Sequence, residues 1–588
     1  MKNIERKNHP RPQFVRENWI SLDGEWQFAF DDENQGLKNK WYQGLKNSQL
    51  IQVPFTYETE LSGIHDSEHH YVVWYQKNFE VNELENLVLN FEGVDYRCQV
   101  WLNGECIGSH QGAYERFSFD LESYLVAGEN TIIVRVEDSL ACEQPRGKQR
   151  WLKDNFGCWY VQTTGIWKSV WLEEAASQRL RRVKLTPDLD NDQIIIEPVL
   201  QDNAVRLETK PYEIAFEISY EGQFVRSYQG SLTHEMTPIV LDTRITEDAC
   251  WGTKVWSPET PRLYDLTCRL YDAENQLIDE VYSYFGMRKI AIEQGQILLN
   301  NRQLYQRLIL DQGYWQESGI TPPSVKDLEV DVDRILEMGY NGVRKHQKIE
   351  DERFLYLCDS KGLLVWSEMA ATYNFNDLAI TNFTEEWLKI VEQNYNHPSI
   401  ITWVPFNESW GIKDIDRNRQ QQHFTESIYH LTKAFDTQRP VITNDGWVHT
   451  ISDIITLHDY EELGEVFATR YQDKDSLMNN QQQFNNDFYA LAEGYAYRGQ
   501  PIIISEFGGI AFSSESGWGY GNQVQNEEVF MKRFDSIHKA IQKLPYSVGY
   551  CYTQLTDVEQ EINGLLDVNR QAKVDLNKVR EINLRRLK

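Results

Sequence analysis

The sequence predicts a multidomain chain: a β-sandwich jelly roll, an immunoglobulin-like β-sandwich and a (β/α)8 TIM barrel. Three observations predict it. At 588 residues the chain exceeds what one hydrophobic core usually holds, so several domains are expected. Short alternating runs separated by turn residues fill the first half. After about residue 290 near-continuous apolar strands alternate with amphipathic helices, the pattern of a parallel sheet.

Residues 1–175 carry the first set of strands. Leu87–Phe91, Cys98–Leu102 and Thr131–Val136 alternate, and Asn103-Gly104 between two such runs is a strong hairpin signal. Residues 176–289 form a smaller set, including Tyr212–Ile218 and Leu266–Tyr271, of a length that suits one immunoglobulin-like sandwich. Residues 290–588 read as the barrel. Ser324 can cap a helix with Leu328, Val332, Ile335 and Leu336 on one face, and Gly339 can end it. Strand candidates follow at Leu304–Leu310, Gly342–His346, Leu363–Trp366, Ile400–Val404, Pro440–Thr443, Ile454–Leu457, Pro501–Ile504 and Val548–Tyr552. Eight such units in about 300 residues fit a closed barrel.

Composition narrows the function classes. The apolar fraction is 41% and the charged fraction 25%, ordinary for a globular protein. A net charge of −30 disfavours nucleic acid and anionic membrane surfaces as partners. No apolar run approaches a membrane span and no signal peptide is visible, so the expected location is cytoplasmic. Eight scattered Cys without a CxxC read as reduced thiols.

In such a barrel, functional groups sit where strands end and βα loops begin. The strand ends here are polar: Asp311, Arg344 with His346, Glu368, Asn407-Glu408, His458-Asp459-Tyr460 and Glu506. Glu408 and Glu506 end strands four and seven, which face each other across the mouth. Glycoside cleavage needs such a pair, one carboxylic acid to protonate the leaving oxygen and one carboxylate to attack C1. Tyr460 is set to hydrogen-bond Glu506. No His, Asp and Glu cluster has convincing metal-ligand spacing, so neither metal nor cofactor is expected.

The motifs resemble glycoside hydrolase family 2, which holds β-galactosidases, β-glucuronidases and β-mannosidases. Leu22-Asp23-Gly24-Glu25-Trp26, Trp101-Leu102-Asn103-Gly104 and Gly165-Ile166-Trp167 look like its sugar-binding jelly roll. Trp256–Pro261 and Phe285-Gly286-Met287-Arg288 resemble its immunoglobulin-like domain. His397-Pro398-Ser399-Ile400 leading to Asn407-Glu408-Ser409 looks like the acid/base segment, and Ile504–Gly508 like the nucleophile segment.

The resemblance implies a retaining exo-β-glycosidase with Glu408 as acid/base and Glu506 as nucleophile. It also implies that Asn407 binds the sugar 2-hydroxyl. Arg344, His346 and Tyr460 would lie near the nucleophile, Asp311 would contact outer hydroxyls, and His458 and Glu368 would stand in or behind the pocket. The family's uronidases carry Asn-x-Lys after strand eight, where this chain has Asn563-Gly564-Leu565. Asn407-Glu408-Ser409 leans toward galactosidases. A β-galactoside is therefore the first expectation, with a β-glucuronide or β-galacturonide, another specificity of the family, or a non-catalytic carbohydrate-binding protein, as alternatives. Lys348 is the one nearby cation that could serve a uronide. The loop Gly517–Gly521 could shape the leaving-group side or merely pack through Trp518. A carbohydrate is the expected partner, and homo-oligomerisation stays open.

Overall fold

The computed structural model describes residues 5–81, 86–201, 212–232, 237–245, 252–485, 487–513 and 516–585. Residues 1–4 and Cys250 lie outside them, and the seven described cysteines are free thiols. No described helix is long and apolar enough to cross a membrane.

The first sandwich packs two antiparallel sheets. The six-stranded sheet runs Gln49–Val53, Gly24–Phe30, Val72–Val81, Gly128–Glu137, Arg97–Leu102 and Glu105–Gln111. The four-stranded sheet runs Trp19–Ser21, Val170–Glu174, Leu87–Phe91 and Phe117–Asp120. Period-two alternation puts Val100, Leu102, Ile132 and Val134 of one sheet against Leu89, Phe91, Val170 and Leu172 of the other. The expected hairpin forms at Asn103-Gly104, where both residues have positive φ (53° and 83°), as a twist-matched two-residue turn requires.

Among the described residues the second sandwich packs seven strands in two sheets. Three of them (Leu180–Asp188, Gln193–Leu200, Ile239–Asp242) form one sheet, and four (Gln223–Leu232, Tyr212–Tyr220, Tyr264–Tyr271, Leu277–Phe285) form the other. Ile194, Ile196 and Leu241 of one sheet meet Phe216, Ile218, Leu266 and Cys268 of the other in a common core.

Seven parallel strands curl into the third unit, in the order Ile400–Val404, Leu364–Glu368, Gly342–Lys345, Gln306–Asp311, Ser547–Tyr552, Ile502–Glu506 and Ile455–His458. Phe406–Asn407, pairing in parallel with Asn444–Asp445, supplies the remaining strand. The segment 440–443 expected for strand five contributes only the bridge from Val441 to Trp403, and regular pairing falls at its polar end. The helix Val325–Glu337 is capped by Ser324, whose hydroxyl accepts from the Lys326 N–H, and Leu328, Val332 and Ile335 are buried.

Strand parity decides what reaches the mouth. Leu308, Leu310, Leu364, Trp366, Ile401 and Ile503 fill the inside of the barrel. Ile309, Val343, Val365, Ile502 and Ile504 face the helices. The register with Ile455–His458 slips so that Leu457 pairs with Ile504 and His458 with Glu506. Ser505 is the extra residue, and such a bulge re-aims the side chain that follows it.

The first sandwich also sends a loop, roughly residues 139–163, over the barrel mouth. The Arg146 and Gly147 N–H groups donate to Ala371 O, and the Tyr373 N–H donates to Cys142 O. Gly147 has φ 59°, and a Cβ there would lie 2.5 Å from Gln347 O. Replacing it therefore strains the backbone and pushes this loop off the barrel. Gly147→Ala should lower kcat/KM on a glycoside, the substrate class the sequence leads one to expect, by about tenfold or more while shifting Tm by only a few degrees. Unchanged kinetics would show that loop docking is irrelevant to the site.

Candidate active site

The site is organised around Arg344, which points inward from strand two and is fully buried. Its Nε donates to Glu368 Oε2 at 2.6 Å on strand three. Nη2 donates to Asn407 Oδ1 at 2.6 Å on strand four. Nη1 lies 2.8 Å from both Asp445 Oδ2 on strand five and Glu506 Oε1 on strand seven. Burial opposes the guanidinium charge, but Asp445, Glu368 and Glu506 outweigh it and hold its pKa well above the usual range. A planar fork of donors can join several strands in this way, and a lysine cannot.

Glu506 receives donors on both oxygens, Arg344 on Oε1 and the Tyr460 hydroxyl at 2.5 Å on Oε2. The Tyr460 ring stacks on Tyr520. Glu408 stands opposite with φ 50° and its side chain 20% exposed. A non-glycine residue in the left-handed region is uncommon, and such strain concentrates at functional sites. His458 joins the two carboxylates. Its Nδ1 is 2.8 Å from Glu408 Oε1 and 3.5 Å from Glu506 Oε2, and its Nε2 is 3.0 Å from Asp445 Oδ2. Burial alone would lower the pKa of this imidazole; Glu506 and Asp445 prevail and raise it to about 10. Asp445 is likewise opposed by burial, yet Arg344 and His458 hold it far below the usual carboxylate range.

One ligand atom each of Glu408, His458 and Glu506 lie within 4.8 Å of one another, close enough to surround a cation. Sequence spacing shows no such donor set because the three come from three strands, so the expectation of no cluster is corrected to that extent. A proton on His458 and the adjacent guanidinium both compete with a metal ion there.

The other predicted residues divide. Glu368 lies inside the barrel, engaged by Arg344, by the Gln347 N–H and by His346 Nδ1 at 2.9 Å. Burial raises its pKa to about 7 against the pull of Arg344. His346 is buried beside Arg344, and desolvation with Lys148 and Arg344 nearby pushes its pKa well down. Asn407 spends its oxygen on Arg344, while its buried Nδ2 has no partner among the described residues. Asp311 does not join them, which is a correction. By parity it shares the outer face with Ile309, where Lys345 Nζ donates to it at 2.6 Å. Lys348 is committed there as well, to Glu350, Gly313 O and Ile320 O. Trp518 ties its indole N–H to Gly157 O of the first sandwich.

Several residues of the mouth escape sequence reasoning. Asp445 lies two residues past the end of the predicted strand five, at the polar end where regular pairing falls. Gln312, one position past Asp311, is the inward residue of strand one and donates to Gln554 Oε1 at 2.8 Å and Tyr160 OH at 3.0 Å. Lys148 arrives from the first-sandwich loop and carries no signal in sequence. Burial works against its charge, but Cys158, Glu561, Tyr373 and Glu408 around it raise its pKa above the ordinary lysine value. Glu561 is buried and accepts from the Tyr160 hydroxyl and Asn563.

A carboxylate pair at the mouth of a parallel barrel, flanked by two β-sandwiches, defines the class: a multidomain glycoside hydrolase. Comparison gives the family. Residues 19–175 match the sugar binding domain of glycosyl hydrolases family 2, residues 178–288 match that family's second model and residues 290–583 match its TIM barrel domain. The chain belongs to glycosyl hydrolases family 2. It is 24% identical over 535 residues to a beta-galactosidase of Thermoanaerobacter pseudethanolicus, covering 86% of this chain and 68% of that protein. It is 22% identical over 572 residues to a beta-glucuronidase of Paenibacillus borealis, covering 90% and 89%. The chain spans about half the length of other relatives, such as 55% of a beta-galactosidase of Lactococcus lactis that is 25% identical. The crystal structure of Ruminococcus gnavus beta-glucuronidase shares the fold with a TM-score of 0.78 over 97% of this chain and 98% of that one, at 18% identity.

The raised pKa of His458 makes stability depend on pH. The folded chain keeps this proton between 6.5 and about 10, where the unfolded chain releases it. The contribution is whole below pH 6.5 and is lost as pH rises through about 10. Urea unfolding across that window should show falling stability, and His458→Gln should flatten the limb by roughly 1.4 kcal/mol or more, the worth of one pKa unit. An identical slope in the variant would remove His458 as its source.

Proposed function

We propose that this chain is a retaining exo-β-glycosidase acting on terminal β-linked neutral hexosides, foremost β-galactosides. The observation that carries the reaction type is the close approach of Glu408 and Glu506, with one oxygen of each carboxylate within 4.8 Å of one oxygen of the other. Retaining pairs stand about 5–5.5 Å apart, whereas inverting pairs leave about 6.5–9.5 Å for a water. Glu506 attacks C1 while Glu408 gives its proton to the glycosidic oxygen, and the alcohol departs from a glycosyl ester. Glu408 then takes a proton from water, whose oxygen attacks C1 and releases Glu506, so the β configuration returns. Arg344 and Tyr460 fix the direction of attack. The unpartnered Nδ2 of Asn407 is available to the sugar 2-hydroxyl. Tyr160 bonded to Glu561, and Asn155 bonded to Glu559, wall one side of the mouth, which suits a terminal residue rather than a mid-chain one.

Two observations favour a neutral sugar. Leu565 is fully buried where the family's uronidases are expected to carry a lysine. The buried carboxylate of Glu561 stands in the same loop and would repel a uronate. The relatives carry both names, beta-galactosidase and beta-glucuronidase. A β-uronide is the second reading, and Lys148 favours it: no carboxylate of the described residues forms an ion pair with this buried ammonium.

Glu506→Gln should lower kcat by roughly 10^4-fold or more. Glu408→Ala should keep glycosylation by dinitrophenyl glycosides and be rescued by azide as a β-glycosyl azide. NMR of the first-formed product should show the β-anomer; an α-anomer would exclude double displacement.

Nitrophenyl β-galactoside, β-glucuronide and β-galacturonide decide the sugar. The galactoside should have the highest kcat/KM, with a margin of about 10^2-fold from the cost of burying an uncompensated carboxylate. A uronide in first place overturns the neutral-sugar reading, and Lys148→Met should then cost that uronide most of its binding.

A further inference from the structure

We propose that the groove leading away from Glu408 receives the leaving group of the glycoside, and that this leaving group is a flat apolar alcohol rather than a second sugar. The inference rests on the glycosidase reading above and adds the class of the aglycone.

The groove has a volume of about 820 Å³ and begins at Glu408, Ser409 and Trp410. That volume suits a molecule of several fused or linked rings. A proton donor must touch the glycosidic oxygen, so the space that opens beyond Glu408 is where the departing alcohol lies. The walls are Trp410, Trp447, Val448, Phe488, Tyr489 and Leu491. The Trp447 and Phe488 rings stack at 4.1 Å and within 3° of parallel. Trp447 also sets its edge against the His458 ring at 5.7 Å, so the aromatic wall is continuous with the residue that bonds Glu408.

The aromatic wall favours an apolar ring over a sugar, and most polar groups of the groove are either occupied or at its rim. Asn480 donates to Leu491 O at 2.8 Å and accepts from Leu491 N at 3.2 Å. The Gln483 amide donates to Asp487 O at 3.0 Å. These side chains are occupied in holding residues 480–485 and 487–491 in place, and the charges of Lys413, Arg417, Asp487 and Glu493 are exposed at the rim. A sugar lying in the aromatic stretch of Trp447, Phe488 and Tyr489 would find few partners for its hydroxyls beyond the unpartnered indole N–H of Trp410 at the Glu408 end, which is costly. An apolar ring system loses nothing by burial and covers Tyr489, which is otherwise 42% exposed.

Three β-galactosides with alkyl-type leaving alcohols test this: methyl, 2-(2-naphthyl)ethyl and the disaccharide lactose. Their leaving groups are close in acidity, so kcat/KM reports occupancy of the groove. The naphthylethyl glycoside should exceed both others by about 30-fold, a typical gain from filling an aromatic-lined pocket. The naphthylethyl-to-methyl ratio should fall by about tenfold in Phe488→Ala, and also in Tyr489→Ser should the first variant fold poorly. A wild-type ratio near one, a preference for lactose, or a ratio that survives both substitutions overturns the proposal. Should another sugar win the nitrophenyl panel, the same three leaving groups are placed on that sugar, so failure of the galactoside reading is read separately. Calorimetric titration with 2-naphthaleneethanol alone should show binding that weakens in Phe488→Ala; no heat with wild type counts against the groove whatever the sugar.

Discussion

A guanidinium buried to zero exposure ties the barrel mouth together. Arg344 touches Glu368, Asn407, Asp445 and Glu506, residues from strands three, four, five and seven. Taking that charge out of water is expensive, and only close carboxylates with good geometry offset the cost. Each carboxylate in turn depends on the arginine. Asp445 lies far below the usual range, whereas Glu368, where desolvation dominates, rises to about 7. Losing Arg344 would leave three buried acids facing one another, so position and charge balance fail together.

His458 is the second cation of this network, and its place between Glu408, Asp445 and Glu506 explains why it stays protonated inside the protein. It comes from strand six, so the cations of strands two and six answer the acids of strands three, four, five and seven. The bulge at Ser505 permits this convergence. Ser505 bonds Asp445 Oδ1 at 2.8 Å, and Glu506 still turns into the mouth. Strict alternation would have sent one of the two to the helical layer.

The mouth is not the work of the barrel alone. The first sandwich contributes Lys148, Cys158, Trp159 and Tyr160, held by backbone hydrogen bonds to Ala371 and by side-chain bonds to Glu559 and Glu561. Trp159 packs edge-on against Trp410 at 5.1 Å, next to Glu408 in sequence and space. Pocket shape therefore depends on domain docking, and changes in this loop can alter specificity while the carboxylate pair stays fixed.

The sequence alone determined the architecture and the strand-end positions of the two carboxylates proposed to carry the chemistry. Hydrophobic period sets strand against helix, Ser324 starts its helix, Asn103-Gly104 turns its hairpin, and Glu408 and Glu506 fall at strand ends because the apolar runs stop there. These are local properties, and local patterns are legible in one dimension. Strand parity is half legible: Leu308 and Leu310 pointing in turn Asp311 outward, as Arg344 pointing in turns Lys345 outward, but parity does not reveal the bulge that re-aims Glu506. Asp445 stood two residues past a recognised strand. Lys148, Trp159 and Glu561 were beyond reach, since their roles arise from a loop of one domain docking on two loops of another, about 400 residues apart along the chain in the pair Tyr160 and Glu561. The tertiary structure decided those contacts because burial, charge and distance between remote segments exist only once the chain has closed on itself.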